Sequence, residues 1–136
     1  MAKESGLGWT TCSIDDSGTT LRAIINDVVS IDFSTPRGVQ EVSGIDKSAM
    51  ERLLLLADFQ STINGIFNDA ATTGAHTVLK DAGSTSVART ETLVISGQTL
   101  TNEVFLTDFQ MSRAPTGEFT FVCPTLLQDG TAPTWS

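Results

Sequence analysis

The sequence predicts a mainly β protein: two packed antiparallel sheets, a sandwich or partial barrel, with one short flanking α-helix. Three observations carry this. Segment after segment alternates apolar and polar residues, as Val29, Ile31 and Phe33 do against Ser30 and Asp32, which is the period of a half-buried strand. Turn signals such as "DDSGT", "TPRG" and "APTG" separate the segments. Ser and Thr are abundant while only 18% of residues are charged, a mix that suits strands better than a helical bundle or a disordered chain. At 136 residues the chain is expected to be one domain, residues 1–136, with loose segments at about 1–8 and 128–136.

Taken in order, Trp9 to Asp15 reads as a strand, the turn around Asp16, Ser17 and Gly18 follows, and Leu21 to Ile25 forms a second strand. The strand carrying Val29, Ile31 and Phe33 ends at "TPRG", where Pro36 and Gly38 hold the positions of a type I turn. Val39 to Lys47, "VQEVSGIDK", is polar and reads as an extended loop or the tip of a long hairpin. Ser48 and Glu51 have capping-box spacing, but the parity of Phe59, Ser61, Ile63, Gly65 and Phe67 favours a strand from about Leu53 to Phe67. That strand is apolar on both faces at its start. After the loop "NDAATTG", Ala75 to Gly83 is the one helical segment, stopped by Gly83. Val87 to Ser96 is a strand and Gly97-Gln98 a hairpin turn. Leu100 to Ser112 is a long strand, apolar on both faces through Leu106. In the last strand Phe119, Phe121 and Cys123 oppose Glu118 and Thr120.

The inventory for catalysis is thin. His76 is the single histidine, with no cysteine or carboxylate at ligand spacing, so a surface or packing role is expected. Asp15-Asp16 lacks the spaced oxygens of a Ca²⁺ loop and reads as turn chemistry. Gly6 and Gly8 sit in no βα unit and make no dinucleotide fingerprint. GxSxG, HExxH and Walker motifs are absent. The expected site inventory is therefore none for catalysis, none for cofactors and none for metals. Cys12 and Cys123 form no CxxC, and two buried free thiols are expected; sequence spacing leaves a disulfide open, because it does not report distance in space. The net charge of -8 argues against gripping nucleic acid non-specifically. The longest apolar run, Leu53 to Ala57, is far short of the ~20 residues that span a bilayer, and "MAKESGLGWTT" has no apolar core of a secretory signal.

What remains is apolar character on both faces of two strands. Fully burying a leucine stabilises by ~1.5–3 kcal/mol, and exposed contiguous apolar patches usually mark an interface. Leu53 to Leu56 are therefore expected to serve both the monomer core and a second face, covered either by the helix Ala75 to Ala82 or by another copy of the chain.

The run "TPRGVQEVSGIDKSAMERLLLLADFQSTINGIFNDA", followed by "HTVLKDAGSTSVARTETLVISG", resembles the major tail tube proteins of long-tailed bacteriophages. The matching features are the "VSGIDKSAMER" loop, the "LLADFQSTINGIFND" strand, a short helix and three further strands. The resemblance implies a fold shared with the tube proteins of type VI secretion systems. It also implies a structural virion protein, not an enzyme, made in the host cytoplasm and located in the tail. In that family, subunits form hexameric rings that stack into a tube joined to other tail proteins; DNA passes through the lumen without specific binding, and no membrane is involved. The readings from other classes are a self-contained small-ligand barrel and a virion decoration or adaptor protein. On the tube reading, the loop Val39 to Lys47 reaches a neighbouring subunit. Gln60, Thr62, Asn64, Asp108, Gln110 and Ser112 become lumen candidates. Trp135 is expected to dock on an adjacent subunit, while Trp9 starts the first strand of its own domain.

Overall fold

The computed structural model describes Lys3 and residues 5–136. Its organising element is a strongly curled antiparallel sheet of eight strands. The first strand, β1 (Trp9–Asp15), turns at Asp16, whose Oδ1 accepts hydrogen bonds from the backbone N–H of Gly18 and Thr20 at 2.9 and 3.0 Å. Those bonds, Thr20 foremost, hold the Asp16 carboxyl below the usual carboxylate range. β2 (Leu21–Ala23) is shorter than expected, because Ile25–Asp27 winds into a 3₁₀ turn. β3 (Val28–Ser34) keeps the alternation of Ile31 and Phe33, but a bulge between Val28 and Ser30 turns Val29 out to solvent.

The segment after β3 departs from expectation in an instructive way. Pro36 and Gly38 make no turn. The chain bends at Thr35-Pro36 and continues as β4 (Arg37–Glu41), which pairs with β5 (Arg52–Ala57) in a separate two-stranded sheet. It bends back at Asp58-Phe59 into β6 (Gln60–Ile66), which pairs with β3. The strand expected from Leu53 to Phe67 is thus two strands in two sheets. β3–β4 and β5–β6 together form one long ribbon with a hinge, where the Asp58 N–H donates to Pro36 O at 2.9 Å. Proline cannot donate to a ladder, so the ribbon breaks where Pro36 stands.

The same rule explains the second departure. The strand expected from Leu100 to Ser112 divides into β8 (Gln98–Leu106) and β9 (Gln110–Arg113). Both lie on one side of β10 (Phe119–Leu127), and the break at residues 107–109 faces Pro124, whose carbonyl still accepts from Thr107 N–H at 3.1 Å. β7 (Arg89–Ile95) is joined to β8 by a tight turn at Ser96-Gly97, one residue earlier than expected, with φ of 50° and 81°. Both residues are left-handed, as a two-residue hairpin loop requires.

The sheet order is β2-β1-β7-β8-β10-β6-β3, with β9 on β10. Curling brings the two halves face to face, and Trp9 of β1 meets Phe33 of β3 edge-on at 5.8 Å. The core between them holds Cys12, Ile14, Leu93, Leu100, Val104, Phe59, Ile63 and Phe121. The helix α1 (Ala75–Leu79) contributes Ala75, Val78 and Leu79 and stops short of Gly83. Its N-cap, Gly74, has no side chain, so Asp27 supplies the cap from a distance. Asp27 Oδ2 accepts from Ala75 N–H at 3.0 Å, and Oδ1 from Asn68 Nδ2 at 2.9 Å. Gly65 is required by packing: a Cβ there would stand 2.4 Å from Asp27 O and 2.7 Å from the Phe121 ring. The overall class is the expected one, mainly β with one helix.

Candidate assembly surfaces

The β4–β5 hairpin is the part of the chain left unfinished. Leu53, Leu54, Leu55 and Leu56 are 53%, 62%, 44% and 91% exposed, and among the described residues no helix or further strand covers either face. The expectation that these leucines join the monomer core is therefore overturned. α1 covers the main sheet, not this one. The hairpin ladder is reinforced by Arg37 Nε donating to Leu55 O at 2.9 Å, and Leu55 lies across Gly38, 3.2 Å from where a Cβ would be. Arg37, Leu54, Leu55, Leu56 and Ala57 line an apolar groove with Ala132 of the C-terminal tail. An isolated two-stranded hairpin is at best marginally stable in water, so this one gains its rigidity from whatever it is packed against.

The tip of the hairpin is polar and closed by local bonds. Val42 N–H donates to Glu51 O at 2.8 Å, and Glu51 N–H to Ser43 Oγ at 2.7 Å. Ser48 and Glu51 lie in this loop rather than on a helix. Ile45 at the tip is fully exposed. The whole chain exposes 8347 Å², against roughly 6,900 Å² for a compact monomer of this mass; a projecting arm accounts for an excess of that kind.

A second surface is rich in hydroxyls and amides. Register places Ser30, Asn64, Val122 and Gln110 in one row across β3, β6, β10 and β9, with Asp32, Thr62 and Pro124 in the next. Gln60 Nε2 reaches Ser34 Oγ at 3.4 Å, and Asp108 Oδ2 accepts from Gln110 Nε2 at 2.8 Å. Gln60, Thr62, Asn64, Asp108, Gln110 and Ser112 thus come together on one outer face, joined by Ser30, Asp32 and Ser34, which the sequence reading left out although their alternation was visible. The sequences of β3, β6 and β10 contain no Lys or Arg.

Neither tryptophan is free. Trp9 starts β1, and its indole N–H donates to Thr11 O at 2.9 Å. Trp135 is seated on its own chain, its ring 6.0 Å from Phe33, and Ser136 and Thr99 exchange two backbone hydrogen bonds of 2.9 Å. The tail thus has a seat on its own chain by returning to β8, and Trp135 is still 47% exposed, so its expected docking on an adjacent subunit stands as a proposal. His76 packs between Phe67 and Phe109, at 4.5 and 5.7 Å. Cys12 and Cys123 are buried free thiols, and burial, with the charge of Glu91 adding to it, pushes both up to about 12. Among the described residues no group of three or more His, Cys, Asp or Glu could hold a metal ion, and no helix is long and apolar enough to cross a membrane.

The sequence reading missed the buried polar residues. Arg89, Glu91 and Leu93 share the inward face of β7, while Thr90, Thr92 and Val94 point out. By sequence alone the charged side of such a strand is the side to place in water. Arg89 turns inward because both terminal nitrogens of its guanidinium find acceptors there. Nη1 donates to Val78 O at 2.7 Å and Asp15 O at 3.3 Å and Nη2 to Asp81 Oδ1 at 2.8 Å, while Nε is left unbonded.

The curled sheet with its filled interior, the capped helix and the projecting leucine hairpin make up one fold. Particular solved structures share it. A chain in the tail of an empty gene transfer agent particle, refined with C6 symmetry, superposes with a TM-score of 0.78 at 14% identity, over 98% of this chain and 99% of that one. A chain in the virion of the native gene transfer agent gives 0.75 at 13% identity, over 98% and 99%. A chain in the six-fold symmetrised baseplate of the anti-feeding prophage gives 0.65 at 8%, over 100% and 97%. The chain matches no family model and no curated protein. At these identities the likeness establishes the fold.

Proposed function

We propose that this chain is a structural tail protein that polymerises as stacked hexameric rings into a tail tube, the conduit for DNA ejection. The observation that carries the reading is the β4–β5 hairpin with leucines bare on both faces. Four leucines in water are a standing cost that contact with another copy removes, at about 25 cal/mol per Å² buried. The six-fold symmetry of the similar tail and baseplate supports a ring of six. The face of Gln60, Thr62, Asn64, Gln110 and Ser112 is the candidate lumen wall, since hydroxyls and amides do not hold phosphates in place and β3, β6 and β10 carry no Lys or Arg, with Arg113 at the end of β9 as a cation beside it. No catalytic role is proposed, and the virion tail is the proposed location. The small-ligand barrel loses ground because the interior is filled by Phe59, Ile63, Leu93 and Phe121.

Electron microscopy of the concentrated protein tests the proposal, with hollow six-fold cylinders as the expected result. Leu54→Asp and Leu55→Asp, one on each face of β5, should each leave a folded monomer and abolish cylinders. Cylinders formed equally well by both variants would remove the hairpin from the interface. A wild-type protein that stays monomeric at every concentration, alone and with other tail proteins, would sink the tube reading.

A further inference from the structure

The carboxylate of Glu91 lies in the middle of the core and is 1% exposed. Ser61 Oγ is 3.1 Å from both of its oxygens, Thr125 Oγ1 is 3.2 Å from Oε1, and the two hydroxyls are 2.6 Å from each other. Glu91 belongs to β7, whereas Ser61 and Thr125 are paired neighbours on β6 and β10 in the opposite half of the curled sheet. The cluster therefore links the two halves through the interior. Its proton count decides its state. Three contacts join the three side chains, Ser61 to Glu91, Thr125 to Glu91 and Ser61 to Thr125, but two hydroxyls carry only two protons. With Glu91 ionised, one contact is left as two oxygens without a proton between them. A third proton, on Glu91 itself, closes the ring: Glu91 donates to one hydroxyl, that hydroxyl to the other, and the other back to the second carboxyl oxygen.

We propose that Glu91 is a proton-operated latch inside the fold, protonated when the two halves of the sheet are closed and loosening them when it ionises. Among the described residues no cation pairs with it. Nη1 and Nη2 of Arg89, next on the same face of β7, are committed to Val78 O, Asp15 O and Asp81. The other titratable groups facing the cluster are Cys12 from β1 and Cys123 from β10, both held neutral by burial. β6 and β8 present Ser61 and Asn102, and α1 presents Ala75, Val78 and Leu79, none of which titrates. Asn102, paired directly with Glu91 across the β7–β8 ladder, is buried with its Nδ2 unbonded. With Arg89 Nε, which is also buried and unbonded, it is a donor in reserve for the ionised form. Burial, only partly opposed by Ser61 and Thr125, pushes the Glu91 carboxyl up to about 7 from 4.5.

The sign follows from linkage. A carboxyl whose folded value is raised contributes stability that is complete below the unfolded value and is lost as pH climbs to the folded one. The loss therefore runs from about pH 4.5 to about 7, with the folding equilibrium falling at most about tenfold per pH unit for one proton. Thermal melts of the full chain across and above this window are the test. Wild type should lose Tm as pH rises and then level off. E91Q should have lost that slope and melt higher than wild type on the alkaline side. E41Q, an exposed control, should keep the wild-type slope. The ¹³C resonance of the Glu91 carboxyl in wild type should titrate far above those of exposed glutamates, a measurement that stands even if E91Q does not fold. An unchanged slope in E91Q, or a carboxyl already ionised at mildly acidic pH, overturns the latch.

Discussion

β5 and β6 are adjacent in sequence, belong to one ribbon and have opposite fates. β5 is the more apolar, with four leucines in six residues, yet every one of them is exposed. β6 reads "QSTINGI" and holds a single large apolar residue on its inner face, yet Ser61, Ile63 and Gly65 are all buried. Apolar content does not decide burial; position relative to the hinge at Pro36 and Asp58 does. Before the hinge the ribbon lies against the opposite half of the sheet, and beyond it the ribbon projects with only Ala132 of the tail beside its leucines.

That contrast can be broken most directly by matched truncations. Ile63→Ala should cost about 2–5 kcal/mol of monomer stability, because a fully buried side chain leaves a cavity. Leu54→Ala should change monomer stability by no more than about 0.5 kcal/mol while weakening assembly. Urea unfolding of dilute monomer measures both, and equal losses would mean that β5 is core after all. A smaller effect sharpens the β6 side. Gly65→Ala should destabilise by about 2–3 kcal/mol through overpacking, since its Cβ would meet Asp27 O at 2.4 Å; the melting temperature reads it, and a neutral result would mean that Asp27 and the helix cap are free to move away. The smallest effect concerns the tail. Removing residues 130–136 takes away Trp135 and its two bonds to Thr99 and should cost about 1–2 kcal/mol, a few degrees in Tm. In a Trp9→Phe background, Trp135 fluorescence should already be shifted to the blue in the monomer. A water-like spectrum in the monomer would detach the tail from Phe33.

Much of this was legible in the residues themselves. The alternation of Ile31 with Phe33 and of Phe121 with Cys123, the turn at Asp16 and the single helix are local facts, set by side-chain period and turn chemistry over a few residues. Both long strands were read as continuous because their hydrophobic parity runs unbroken. In each case the interruption comes from a proline nearby on the ribbon or the partner strand, Pro36 for the first and Pro124 for the second. Pairing between segments distant in sequence is what local patterns do not contain.

The sequence by itself therefore determined the β class, the position of most turns, the single short helix, and the presence of more apolar surface than a half-buried strand needs. Only the tertiary structure decided which apolar residues are core and which are surface, because burial is a relation between segments. It alone turned Arg89 and Glu91 inward, where partners on α1, β6 and β10 make burial tolerable. It alone returned Trp135 to its own chain. And it alone left Leu53 to Leu56 uncovered, since a hinge in the ribbon carries them beyond the reach of the core.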